Sequence, residues 1–503
     1  MTIARSLRED EVRPPRLHAK HNVRGPIMAS SIATKLRSKI RKPKANATSI
    51  GGYSVTEVHH AAIDDCDKAS AVHIWALGVL AVIGGQYYGW NAAWATGFLP
   101  FFLSQLVMGS AYVVYVSCIS EVGAKVPGGS YGLARAVLGF YPGFILGALE
   151  LLEYISMGSV SVLFVADFCT HQFEWHPNYQ PLLWLLEYLI FSWILSLRGK
   201  YVWPFILTMS GLAVLPVVLF LAGALGHTNF AYNAIWVDAA TNATSWASGN
   251  IQSAFFAWVP YTTWGFAGVE SLTVVTGFVQ DPTVAIPKGT VRAVRTLFLS
   301  NLCLLFVVAS LPPGIATTVH DDYLLSRGFQ LGFGLSSTLA EWLIIPAQLG
   351  MAFGFFIPYA RLMQAMADSN LLPPWLGLKN QPTTTRAMFV SSGFGYILCI
   401  ISYYSPAFQT TLQNIALLAA AVCYAGQTYG FVLLRTSFKV DSNGYQSPFG
   451  IYGAYYVWCV FFVLFLSIAG GFQGDNGIAI MSFMGFIAVM SVYYRIVCLK
   501  HQT

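Results

Sequence analysis

Residues 83–91 read IGGQYYGWN, with three glycines, two amides and three aromatics in nine positions. They stand inside a longer run, 69–120, that contains no Asp, Glu, Lys or Arg. Such a run favours a membrane-spanning helix, because a backbone without water must satisfy its polar groups within the segment. Glycine in a helix interior costs about 1 kcal/mol relative to alanine, so Gly84, Gly85 and Gly89 weaken this span near its middle. A second weak point lies roughly 180 residues further on, where 264–270 read WGFAGVE, with Gly265, Gly268 and an ionisable Glu270. Gly85 and Gly89 also have GxxxG spacing, which taken alone reads as close helix packing.

The surrounding composition is that of an integral membrane protein. Of 503 residues 55% are apolar and only 10% charged, against roughly 25% charged in soluble domains. A span needs about 20 apolar residues, and twelve stretches qualify: 72–99, 101–120, 137–168, 181–197, 201–226, 251–280, 294–319, 336–364, 387–405, 407–434, 448–470 and 477–497. These runs are too long and too uniform for the alternating ten-residue segments of a membrane β-barrel.

Basic residues orient the spans. Residues 1–68 hold thirteen of the 28 Lys and Arg. With this tail in the cytoplasm, twelve spans place fourteen of the other fifteen at cytoplasmic ends, and only Arg327 outside. That asymmetry is the positive-inside rule. The tail itself reads as a disordered topology determinant, or as a binder of anionic lipid headgroups. The organisation expected is a basic cytoplasmic tail over 1–68, a transport core over 69–440 and two further spans with a short cytoplasmic end over 441–503. Eight scattered cysteines show no ligand spacing, so neither a metal site nor a disulfide framework is expected, and no cofactor. Asn242-Ala243-Thr244 is a glycosylation acceptor pattern in the external loop 227–250.

Spans 1 and 6 open two successive sets of five. Glycine-interrupted spans at corresponding positions of two halves point to an inverted-repeat secondary transporter, in which the breaks meet near the midplane. An interrupted helix frees carbonyls and amides, which are tolerated only where they line a cavity. Amino ends of half-helices favour anions and carboxyl ends favour cations.

Four segments carry a resemblance to a known family: Glu121 through Pro127, Gly129 and Tyr131; Phe266-Ala267-Gly268-Val269-Glu270; Asp281-Pro282 through Ile286-Pro287; and Arg361 through Asp368, Leu372 and Pro373. In order and spacing they resemble the signatures of the amino acid–polyamine–organocation (APC) permease superfamily. The resemblance implies an all-α fold of twelve transmembrane helices in a five-plus-five inverted repeat (LeuT-type) with helices 1 and 6 broken. It also implies a substrate site at the two breaks: Gly84, Gly85, Gln86, Tyr87, Trp264, Gly265, Phe266 and Gly268. One departure concerns Gln86, which stands where the family carries glycine and would crowd a backbone cradle for a substrate carboxylate. Tyr88-Gly89-Trp90-Asn91 and Leu149 through Tyr154 are similar to segments of bacterial ethanolamine permeases. In another, Thr276-Gly277 replaces an acidic pair.

Carboxyls at bilayer depth are costly and usually functional. Glu270 is the candidate for coupling or for bracing the unwound backbone, and Glu150 and Glu153, three apart on one helix face, for coupling or as counter-ion to a substrate ammonium. Glu187 reads as structural. Between Ile344 and Phe356 span 8 has no Ser or Thr, which argues against sodium and leaves protons or exchange. The expected function is alternating-access transport of amino acids or small organic amines, with an ethanolamine-specific permease or a transport-inactive nutrient sensor as alternatives. No enzyme motif occurs within the spans. The partners expected are the small-molecule substrate, protons and the lipid bilayer, with no nucleic acid, and the plasma membrane is favoured over an organelle.

Overall fold

The computed structural model describes residues 47–50, 53–56, 64–126, 129–237, 243–377, 384–437 and 444–499. Most of the basic tail, Pro127, Gly128 and Asn242 lie outside the described residues. The described chain is overwhelmingly helical, with two short antiparallel hairpins, Ala47–Ile50 with Tyr53–Thr56 and Trp236–Val237 with Thr244–Ser245. Among the described residues nine helices are long and apolar enough to cross a membrane. The first stretch is a broken pair, bent by 43° between Ala71–Gln86 and Trp90–Thr96. The helices Gln180–Leu195 and Ile251–Thr263 are shorter, and the latter continues through a turn into a 3-10 helix, Val269–Phe278. The protein is a multi-pass membrane protein.

Local sequence explains the boundaries. The stretch expected to span 294–319 instead forms a helix at Pro282–Ala309. Pro282 occupies its first turn, where a missing N–H is no loss. Beyond Ala309, Pro312, Pro313 and Gly314 (φ +106°) stop it. Small residues set the seams between neighbours. A Cβ on Gly289 would meet Ile74 at 2.6 Å, and one on Gly354 would meet Ala81 at 2.6 Å. Backbones approach closely only where side chains are absent.

One end of the molecule is tied shut by the segment before the first span. Ala69 N–H donates to Phe278 O (2.7 Å) and Gln280 N–H to Ala69 O (2.9 Å), which pins the start of the first span to the end of the sixth. Arg198 pairs with Asp64 and Asp67 at 2.7 Å each. Asp67 also accepts from Lys200 N–H (2.9 Å), and its carbonyl accepts from Trp203 Nε1 (3.0 Å). These contacts occupy both carboxylates of the Asp64–Cys66–Asp67 cluster. The Lys200 amide, with Arg198 beside it, holds the Asp67 carboxyl below its usual range. A depressed carboxyl stabilises the fold above its unfolded pKa, about 3.9, and the contribution vanishes as pH falls through the folded value. Asp67→Asn should therefore lower the melting temperature slightly at pH 7, and the difference from the parent protein should close as the pH falls through the lowered folded-state pKa. A difference that persists unchanged in acid would place the effect elsewhere.

At the same end Glu121, 2% exposed, joins two spans. Its carboxylate accepts from Arg435 Nη2 (2.5 Å) and Nε (3.2 Å) and from Ser447 N–H (2.8 Å). The acid that opens the first family signature thus fastens the Phe98–Lys125 helix to the end of Pro406–Thr436.

Candidate substrate site

The two breaks touch. A Cβ on Gly85 would fall on the carbonyl oxygen of Trp264, so only glycine lets the first break lie against the second. A Cβ on Gly84 would meet Met351 Cβ at 2.9 Å and Ala347 O at 3.0 Å, both on the Ile345–Gly354 helix. The same helix supplies Gln348, whose Nε2 donates to the Gly84 carbonyl (3.0 Å). Gly89 (φ +79°) and Gly268 (φ +113°) turn the chain through left-handed geometry, which costs side-chain-bearing residues roughly 1–2 kcal/mol.

Above this contact lies a cavity of about 510 Å³, floored by Gly84, Gly85 and Trp264. Its walls are aromatic, with Tyr88, Trp90, Phe164, Trp184, Tyr261 and Tyr403. Its polar groups are Ser161, Gln180, Gln348, Ser402, Gln409 and Gln413, and among the described residues Asp167 is the one charged residue that lines it. Asp167 and Gln180, bonded to each other at 3.1 Å, stand at the end away from the Asp64–Ser70 strap. Ring faces attract ammonium groups, and a lone carboxylate adds direction to that attraction.

Of the eight residues expected at the site, Gly84, Gly85 and Trp264 line the cavity, and the others stand behind its wall. Gln86 is 1% exposed and faces the Pro282–Ala309 helix, where Nε2 donates to Leu297 O (2.9 Å) and Oε1 accepts from Ser300 Oγ (2.7 Å). It does not crowd the backbone of Gly84 and Gly85. Tyr87 points to the Gly199–Ala224 helix and donates to Ala213 O (2.5 Å). Gly265 packs on Asn301, Phe266 stacks on Tyr112 with centroids 5.5 Å apart, and Gly268 meets Phe355. In the tight turn Gly84–Gln86 successive side chains diverge by about 120°. One break therefore offers glycine backbone to the cavity and long side chains to its neighbours.

Two cavity residues had little sequence signal. Gln348 is the only hydrogen-bonding side chain between Ile344 and Phe356, and that isolation is the signal that marks it. Asp167 lies at a span end, where an acid is unremarkable from sequence alone.

The carboxyls expected to couple or to see an ammonium gather away from the cavity. Glu270, fully buried, accepts Gly268 N–H on both oxygens (3.0 and 2.9 Å) and so braces the second break. Glu153 Oε1 accepts from Tyr424, and Glu153 Oε2 is buried with no hydrogen-bond partner among the described residues. Glu150 accepts from Tyr154 (2.7 Å) and Gln427 (3.2 Å). None lines the cavity. Glu187, on Gln180–Leu195, stands apart from them and is buried.

Comparison with known proteins settles the family. Residues 77–499 match the amino acid permease family. The chain belongs to that family. The match covers most of the sequence and agrees with the resemblance carried by the four motif segments. This permease is 23% identical over 400 residues to an uncharacterized transporter of Rhizobium meliloti, covering 75% of this chain and 81% of that one. It is 25% identical over 250 residues to a candidate amino-acid permease of the sexual differentiation process in Schizosaccharomyces pombe, covering 45% and 43% of the two chains.

Proposed function

We propose that this permease carries an amino acid by alternating access, with its ammonium among the aromatic walls near Asp167 and its carboxylate against the glycine backbone of the first break. The observation that carries the reading is the orientation of Gln86. With that side chain committed to Leu297 and Ser300, Gly84 and Gly85 face the cavity bare, as a carboxylate cradle requires. An amine without a carboxylate, such as ethanolamine, would leave that backbone unused. Asp167, the single lining charge among the described residues, favours neutral and basic amino acids over acidic ones.

The architecture that serves this function is twelve spans, five plus five in inverted repeat, with the breaks of spans 1 and 6 at the centre and spans 11 and 12 appended. The basic tail lies in the cytoplasm, by the positive-inside rule, and the protein resides in the plasma membrane. The strap at Asp64–Ser70 then closes the cytoplasmic end, and the cavity belongs to the external half. Spans 1 and 6, pinned at Ala69 and Val279, move together, and their swing opens the cytoplasmic side.

Uptake of labelled amino acids into proteoliposomes, with and without an inward proton gradient, tests the reading. Neutral or basic amino acids are expected to enter, acidic ones to be poor competitors, and an inward proton gradient to accelerate entry. Entry of ethanolamine uncontested by any amino acid would overturn it, and failure of every ligand to enter would favour a sensor. Asp167→Asn is expected to raise KM about fivefold, the worth of roughly 1 kcal/mol for a solvent-accessible charge contact. Glu270→Gln should remove the stimulation by a proton gradient, and stimulation equal to the parent's would exclude Glu270 from coupling.

A further inference from the structure

Below the cavity the structure gathers a second polar centre. Glu150, Glu153 and Tyr154 come from the Phe140–Gln172 helix, Tyr112 and Tyr115 from Phe98–Lys125, Cys423, Tyr424 and Gln427 from Pro406–Thr436, and Glu270 from the second break. On Phe140–Gln172 the cavity begins at Val160. Glu153 lies seven residues before it, roughly 10 Å along the helix axis. Every one of these tyrosines and glutamates is 1% exposed or less. The substrate cavity and this centre are therefore separate compartments, joined by the Phe266–Glu270 backbone.

The centre's distinctive member is Tyr424, whose hydroxyl donates to Glu153 Oε1 and faces Glu270 as well. Glu153 and Glu270 form no ion pair among the described residues. Among the described residues the groups that face them are carboxyls, phenols, one thiol and one amide, none of them a cation. Two ionised carboxylates with no cation cannot share one buried site. Glu153 Oε2 has no hydrogen-bond partner among the described residues, and a proton there or on Glu270 would relieve the repulsion.

We propose that Glu153 and Glu270 hold one proton between them across the Tyr424 hydroxyl, beside a Glu150 that the same repulsion keeps neutral, as a proton site distinct from the substrate cavity. Binding moves one proton from water onto the pair, with no other bond made or broken. Release returns it once the second break moves. Because Glu270 grips Gly268 through both oxygens, the pair's protonation acts directly on the segment whose movement opens the cavity. The pair thereby supplies the coupling that the proposed transport function requires, although the proton site itself can be read without any substrate.

Infrared spectroscopy of purified, substrate-free protein at pH 7, in light and heavy water, tests this. The parent protein should show neutral-carboxyl C=O absorption that shifts in heavy water, and the Glu153→Gln/Glu270→Gln double variant should lack one carboxyl equivalent of it. Loss of none, or of two, would overturn the shared proton. Should the double variant fail to fold, Tyr424→Phe keeps both acids and removes the bridging donor. It is expected to shift the same absorption to higher frequency, and an unshifted band would overturn the proposal. Since no substrate enters the measurement, a wrong assignment of the cargo would show in uptake and leave this result standing.

Discussion

Gly85→Ala is expected to reduce uptake by roughly 5- to 150-fold while the protein still reaches the membrane. The new methyl group would fall on the Trp264 carbonyl oxygen, which is backbone and cannot swing aside as a flexible side chain would. Overpacking of a tight contact costs about 1–3 kcal/mol, and each 1.36 kcal/mol is a factor of about ten. The cost falls on the contact between the two breaks, so it should appear in transport rate and substrate affinity before it appears in folding. Gly211→Ala is the control. A Cβ there meets nothing within 4 Å, and the residue sits in the Gly199–Ala224 helix, where alanine is the better helix former. Equal losses from both variants would show that small residues matter only generally. Unchanged uptake by Gly85→Ala would mean that the breaks need not touch during transport.

Arg435→Ala is expected to destabilise the fold strongly. It removes the guanidinium that pairs with Glu121, a carboxylate 2% exposed. Breaking one side of a buried ion pair typically costs about 3–5 kcal/mol, because the surviving charge remains buried and uncompensated. Arg435 is 24% exposed, so water screens part of the loss and the lower end of that range is expected. Glu121→Gln should cost less, since a neutral amide keeps an acceptor for Ser447 and leaves Arg435 free to reach water. The ordering is what thermal unfolding in detergent would check. If Glu121→Gln proved as harmful as Arg435→Ala, the charge of Glu121 would matter beyond its pairing.

The site was legible in part, and the division follows a physical line. Glycine clusters at corresponding positions of the two halves pointed to both breaks. The carboxyls at bilayer depth announced themselves by their cost. The facing of each side chain was not legible. Gln86 and Tyr87 follow the cavity-lining Gly85, and the roughly 120° steps of a 3-10 turn carry them to the Pro282–Ala309 and Gly199–Ala224 helices instead. Helices that bury most of their surface have weak apolar faces, so periodicity offers little guide to rotation.

From the sequence alone came the membrane class, the family signatures, the positions of the two weak points and the carboxyls worth watching. These depend on local composition and on free-energy costs that each segment bears by itself. The tertiary structure decided which groups meet: Gly85 with Trp264, Gln348 with Gly84, Glu121 with Arg435, and Glu153 with Tyr424. Each of these contacts joins residues far apart in the chain. Their distances are set by how long helices cross and rotate against one another, which no segment encodes alone.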